Sequence, residues 1–170
     1  MPLSLRELRR AATLPGESLA RSLVEARQFG LSTVFLCHSH TDEALVLGLA
    51  NLLYQTGWLV YVDWQDSSMP STPDRQTAAT IKNRIRTANY FMFLATPNSM
   101  ESRWCPWEIG YADGVKSIDE IFVVPTTDES GRFYGNEYLQ LYRRVDVDSF
   151  GELGAWMPGR TTGAAPFSTF

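Results

Sequence analysis

Apolar residues in this chain fall into short continuous runs separated by longer stretches with helical spacing. Thr33-Val34-Phe35-Leu36-Cys37, Trp58 to Val62, Tyr90 to Ala95 (YFMFLA) and Ile121 to Pro125 (IFVVP) are four such runs, rich in strand-forming residues. Continuous rather than alternating apolar character predicts strands covered on both faces. The segment from Thr41 or Asp42, either of which can cap a helix, to about Gln55 is apolar nearly all round. It therefore predicts a well-buried helix, and Gly57 stands where a left-handed C-terminal cap belongs. A further helix ends near Thr87 with Ile81, Ile85 and Ala88 on one face; Thr72 is its candidate cap and Pro73 its first residue. Thr96 to Arg103 reads as a loop, and Trp104 to Lys116 as a helix.

Past the fourth run the pattern weakens. Thr126 to Gly135 is turn-rich, a short helix is expected around Asn136 to Tyr142, and a fifth strand at Arg144 to Val147. One or two helical turns fit 149–157, and the tail from Gly159 has little core-forming content, so it reads as loose. At the other end, Leu3 to Phe29 reads as helical, divided by Pro15-Gly16.

Strands alternating with helices predict right-handed βαβ units: an α/β fold with a central parallel sheet of about five strands and helices on both faces. The organisation expected is an N-terminal helical extension over 1–30, a core domain over 31–150 and a tail over 151–170. In such sheets ligands bind beyond the carboxyl ends of the strands. The loops of interest are therefore 38–42, 63–72 and 96–104.

Composition narrows the field. The chain has 170 residues, 44% hydrophobic and 20% charged, as in one globular domain. A net charge of −4 disfavours a nucleic-acid binder led by phosphate contacts. No run approaches the roughly 18 apolar residues of a membrane span, and the N-terminus lacks a secretory apolar core. Two cysteines, Cys37 and Cys105, cannot form a disulfide framework. With His38 and His40 they lack any standard metal spacing, and free thiols fit a reducing, cytoplasmic compartment. Neither G-x-G-x-x-G nor G-x-x-x-x-G-K-[ST] occurs, so the common phosphate cradles are absent from the sequence.

The unusual content is Ser102-Arg103-Trp104-Cys105-Pro106-Trp107-Glu108 at a helix start. Together with Val34-Phe35-Leu36-Cys37-His38-Ser39 and Asp42, and with Gly57 to Asp63 (GWLVYVD), it resembles the TIR (Toll/interleukin-1 receptor) domain family. The three pieces look like the family's first box, its second box leading into the BB loop, and the S-x-W-C-x-x-E pattern of enzymatically active members. The resemblance covers roughly 32–148; Cys37 departs from it, standing where serine is common. It implies a flavodoxin-like three-layer fold and an NAD+-cleaving activity with Glu108 as the catalytic residue. Around the substrate it implies His38, Ser39, Asp42, Asp63, Trp64, Ser102, Trp104 and Cys105. As a free-standing TIR chain it is similar to anti-phage sensors of the Thoeris type, which make a cyclic ADP-ribose-like signal for a separate effector protein. Self-association through TIR–TIR contacts is implied as well.

The chemistry suits one carboxylate. The nicotinamide–ribose bond breaks with a cationic leaving group that needs little acid assistance, through an oxocarbenium-like transition state. A carboxylate beside the ribose stabilises that charge, and no metal is required. The structural alternative for Glu108 is a capping-box acid, with Cys105 as cap and Pro106 first in the helix. Trp104, four residues earlier, shares its helical face and either walls the pocket or fills core. Trp107 is assigned to packing, and Asp42 to a helix cap first. Two other functions fit the sequence: a non-catalytic module self-associating through the BB loop (Asp63 to Thr72), and a nucleoside deoxyribosyltransferase of similar fold.

Overall fold

The computed structural model describes residues 2–13, 32–62, 74–138, 140–148 and 151–170. Four of the strands are the four apolar runs: β2 (Ser32–Cys37), β3 (Trp58–Tyr61), β4 (Tyr90–Ala95) and β5 (Ile121–Thr127). Each is buried along nearly its whole length, as uninterrupted apolar sequence requires. The neighbours β3-β2-β4-β5 are parallel, and β7 (Arg143–Val147) continues the parallel order beside β5.

Two helical layers cover the sheet. Helix α2 (Glu43–Tyr54) contributes Leu45, Val46, Leu49 and Leu53 to a core with Val34, Leu36, Met92 and Leu94. On the opposite face, α3 (Arg75–Thr87) and α5 (Cys105–Val115) bring Ile81, Ile85, Ile109 and Ala112 against Phe35, Phe91 and Phe93. Adjacent residues of β2 thus serve different cores, which is the two-residue period of a strand at work. Between β4 and α5 lies a one-turn helix, α4 (Pro97–Glu101), within a stretch read from sequence as loop. Gly57 closes α2 at φ +87°, as its position after the helix predicts.

The first residues join the sheet. Leu3–Ser4 forms β1, parallel to Thr126–Thr127 of β5, and α1 (Leu5–Ala11) starts on a Ser4–Glu7 capping box. Leu8 is fully buried, and α1 lies so close to α2 that a Cβ on Gly48 would meet the Leu8 carbonyl oxygen at 1.9 Å. The Asn51 amide donates to the Ala11 carbonyl at 2.9 Å, closing the last turn of α1.

Several local expectations are corrected. Helix α3 is capped by Asp74, in a reciprocal box with Thr77, rather than by Thr72. The helix expected at Asn136 to Tyr142 is replaced by turns, entered from a short hairpin strand, β6 (Phe133–Tyr134), paired antiparallel with β5. The helical turns expected within 149–157 give way to β8 (Leu153–Trp156), antiparallel to β7. The tail is not loose. It forms β9 (Ala165–Pro166) beside β8 and then buries Phe167 to 1% exposure, with the Trp58 indole N–H donating to the Phe167 carbonyl at 3.2 Å. Turn-rich composition hid these contacts, because two aromatic side chains at the chain end outweigh the eight polar and small residues before them.

Candidate active site

Two described βα loops, after β2 and β4, meet at the carboxyl edge of the sheet. The loop after β3, with the expected site residues Asp63 and Trp64, lies outside the described residues. The other two are tied to each other.

The first loop turns through one short 3-10 segment, His40–Asp42, after the strand ends in Cys37. His38 is half-buried, with its Nδ1 2.7 Å from the Leu36 carbonyl oxygen. A carbonyl only accepts, so Nδ1 is the protonated nitrogen at this contact. The Ser39 hydroxyl lies 3.0 Å from that of Thr41. Asp42 precedes α2 without capping it through its side chain. Its carboxylate turns instead to the loop after β4, accepting from the Thr96 hydroxyl and, at 2.6 Å, from the Asn98 amide. Asp42 is 3% exposed.

The second loop is built from short hydroxyl side chains. Thr96 caps α4 by accepting from the Ser99 N–H at 3.0 Å, while the Ser99 hydroxyl accepts from the Thr96 N–H at 2.8 Å and donates to the Leu94 carbonyl at 2.7 Å. Ser102 ends α4, and its hydroxyl accepts from the Trp104 and Cys105 N–H groups at 3.2 and 3.3 Å, so it fixes the start of α5.

That start differs by one residue from expectation. Trp104, not Cys105, is the N-cap; the Glu108 N–H already makes a helical bond to the Trp104 carbonyl at 2.9 Å. Glu108 is therefore the fourth residue of the helix, past the capping-box position, and its burial at 6% exposure does not come from closing a cap. The Cys37 thiol is one of its neighbours. The Cys105 thiol donates to the His38 carbonyl at 3.4 Å, and the Cys37 thiol lies 3.9 Å from the Cys105 carbonyl oxygen. Burial pushes the Cys37 thiol well above its ordinary range; the hydrogen bond with Cys105 and the Glu108 carboxylate act in the same direction. Cys37 is thus held as the neutral thiol, and both cysteines are fully buried and free. Neither has the exposed, electropositive setting of a nucleophilic thiolate.

Trp104 is half-buried and sits edge-on to Trp107 at 5.3 Å between ring centroids. Trp107 stacks on Tyr111, and the Lys82 ammonium lies over both rings at 5.6 and 5.4 Å. Trp107 packs as the sequence predicts, and Trp104 joins the same ladder. Among the described residues no group of three or more His, Cys, Asp or Glu is placed to hold a metal ion. No helix among them is long and apolar enough to cross a membrane.

Sequence reasoning passed over two parts of this edge. Thr96-Pro97-Asn98-Ser99 displays a cap followed by proline at the first helical position, a legible signal of α4 and its network. Tyr138 gave no such signal. Its ring meets Phe93 edge-on at 5.3 Å. Burial first, and then the charge of Glu137 and of the cysteine pair, raise its hydroxyl pKa. A concavity of about 200 Å³ opens nearby, between α4 and the β5–β6 hairpin, lined by Met100, Glu101, Arg132, Tyr134 and Asn136 among others. It contains none of the residues singled out from the sequence.

A mostly parallel sheet between two helical layers, with an acid buried at its carboxyl edge, defines an α/β domain built around a site at the strand ends. The TIR domain family matches residues 34–153, and the chain belongs to that family. Two relatives are similar to it. A probable 3′ cyclic ADP-D-ribose synthase by name, ThsB′ of Bacillus cereus (strain MSX-D12), is 37% identical over 114 residues, which are 66% of this chain and 59% of that protein. A protein of Cytobacillus dafuensis, TIR2, named provisionally as a cyclic ADP-D-ribose synthase, is 25% identical over 100 residues, 57% of this chain and 26% of its own length. The chain thus spans less than two thirds of either relative.

Proposed function

We propose that this TIR protein cleaves the nicotinamide–ribose bond of NAD+ and closes the remaining ADP-ribose into a cyclic signalling nucleotide, in bacterial anti-phage defence. Glu108 is the catalytic residue. The observation that carries the reading is Glu108 itself: a carboxylate buried at the carboxyl edge of the sheet, beyond the capping position and therefore not explained by closing its own helix. Membership of the TIR family and the names of the two relatives support it.

In the reaction the electron pair of the C1′–N bond leaves with nicotinamide, which departs neutral. Positive charge develops on the ribose ring, and the Glu108 carboxylate stabilises it. An intramolecular nucleophile of the same ADP-ribose then bonds to C1′ and releases its proton to solvent, closing the ring; water in its place loses a proton likewise and gives linear ADP-ribose. His38 and Ser39 border the substrate from the first loop, Asp63 and Trp64 from the second, and Ser102 and Trp104 from the third, with the buried Cys105 backing the first loop through its thiol. The chemistry needs no metal. The protein acts in the cytoplasm, assembles through TIR–TIR contacts, and passes its nucleotide to a separate effector.

Mass analysis of the products from NAD+ tests this. Nicotinamide together with a product 18 mass units below ADP-ribose is expected from the assembled wild type and is lost in Glu108→Ala. Stable oligomers that release no nicotinamide under any condition would instead make the chain a scaffold. Turnover of nucleosides but not NAD+ would make it a deoxyribosyltransferase.

A further inference from the structure

The loop His38–Asp42 is fastened to the chain after β4 at both ends. At its start, the Cys105 thiol donates to the His38 carbonyl at 3.4 Å. At its finish, the Asp42 carboxylate accepts from the Thr96 hydroxyl and from the Asn98 amide at 2.6 Å. A carboxylate only accepts, so the Thr96 hydroxyl donates to Asp42 while accepting from the Ser99 N–H. The Ser99 hydroxyl accepts from the Thr96 N–H and sends its proton to the Leu94 carbonyl, at the end of β4. Thr96 and Ser99 are fully buried. Three residues after Ser99, the Ser102 hydroxyl holds the first N–H groups of α5, and Glu108 is the fourth residue of that helix.

An acid is an awkward choice for a purely structural tie. A buried carboxylate needs charge-assisted hydrogen bonds to offset its lost hydration, and here two neutral donors supply them. Its 3% exposure leaves little face for a ligand. We propose that Asp42 is a positioning residue: its carboxylate locks the loop after β4 in register with the loop after β2, and so sets Glu108 against His38 and Ser39. It does not touch the substrate. The proposal rests on the reading of Glu108 as the catalytic carboxylate. Misplacing a reacting group by about an ångström lowers turnover on the order of 100-fold, while leaving contacts made equally to substrate and transition state intact.

The experiment combines steady-state nicotinamide release from NAD+ with amide hydrogen exchange over residues 102–109. It uses wild type, Asp42→Ala, Asp42→Asn, Thr96→Val, the Asp42→Ala/Thr96→Val double variant and Glu108→Ala. Asp42→Ala is expected to lower kcat by about 10–100-fold with KM within about 2-fold, and to speed exchange at the start of α5. Asp42→Asn keeps an acceptor for Thr96 and recovers most of both losses. The double variant falls no further than Asp42→Ala, because both changes cut one tie. A raised KM at unchanged kcat would make Asp42 a substrate contact and overturn the proposal. Unchanged kcat or unchanged exchange in Asp42→Ala would overturn it as well. An inert wild type, or a fully active Glu108→Ala, breaks the NAD+ reading instead. The exchange data then still decide whether Asp42 positions the helix start, and Asp42→Asn serves both readouts if the alanine variant does not fold.

Discussion

At the amino-terminal edge of the sheet, β3 and β4 begin with large rings, and β5 carries one at its second residue. Trp58 stacks on Tyr90 at 4.5 Å, Phe122 meets both edge-on, and Phe167 closes over the group from the chain end. At the carboxyl edge β2 and β4 end in Cys37 and Ala95, followed by Asp42, Thr96 and Ser99, and the acid at 108 is buried beside the Cys37 thiol. One end of the sheet is held by area removed from water, which is non-directional and tolerant of sequence. The other is held by short, directional bonds that set where a charge sits. The comparison assigns stability to the first edge and chemistry to the second, and each assignment can be broken separately.

The largest expected effect is at the ring cluster. Phe167→Ala should lower unfolding free energy by about 3–5 kcal/mol, the usual range for a fully buried phenylalanine, read as a shifted midpoint in urea. Turnover per folded molecule should stay near wild type. A loss below about 1 kcal/mol would mean that the tail does not seal this edge. Next is Glu108→Gln, nearly isosteric with the acid. It should reduce nicotinamide release by about 100–1000-fold, the scale of removing one preorganised electrostatic group, with little change in the melting midpoint. Trp58→Phe comes third. It removes the donor to the buried Phe167 carbonyl and should cost about 1–3 kcal/mol, less than Phe167→Ala, with turnover unaffected.

The smallest effect belongs to the β5–β6 hairpin. Hydrogen bonds from the Ser130 and Tyr134 hydroxyls pull the Asp128 carboxyl down to about 2, from an ordinary 3.8. A lowered folded-state pKa means that the folded hairpin prefers the ionised acid. The contribution is therefore present above about pH 4 and lost as pH falls toward 2. The difference in melting temperature between wild type and Asp128→Asn should shrink across that window. A difference independent of pH would assign it to packing.

Much of this was legible in the residues. Four apolar runs located the strands β2 to β5, and their unbroken character announced two covered faces. Ser102, Trp104, Cys105 and Glu108 carried the family's signature because the motif is contiguous. The legible part ended where structure depends on distant partners. β8 and β9 are held by pairing to β7 and to each other, and neither segment has a strand's propensity of its own. Phe167 could not announce that its partner is Trp58, more than a hundred residues away. Glu108 read as a cap residue because an offset of one in the helix start changes its role, and sequence rarely fixes a boundary to one residue. The bond from Asp42 to Thr96 was invisible for the same reason as the tail: it spans 54 residues between two loops.

The most direct test of the account is nicotinamide release from NAD+ by Glu108→Gln and Phe167→Ala side by side, normalised to the folded fraction of each. The account predicts that Glu108→Gln is folded and at least about 100-fold slower than wild type, whereas Phe167→Ala is less stable and turns over like wild type. A folded Glu108→Gln that releases nicotinamide at the wild-type rate would contradict it.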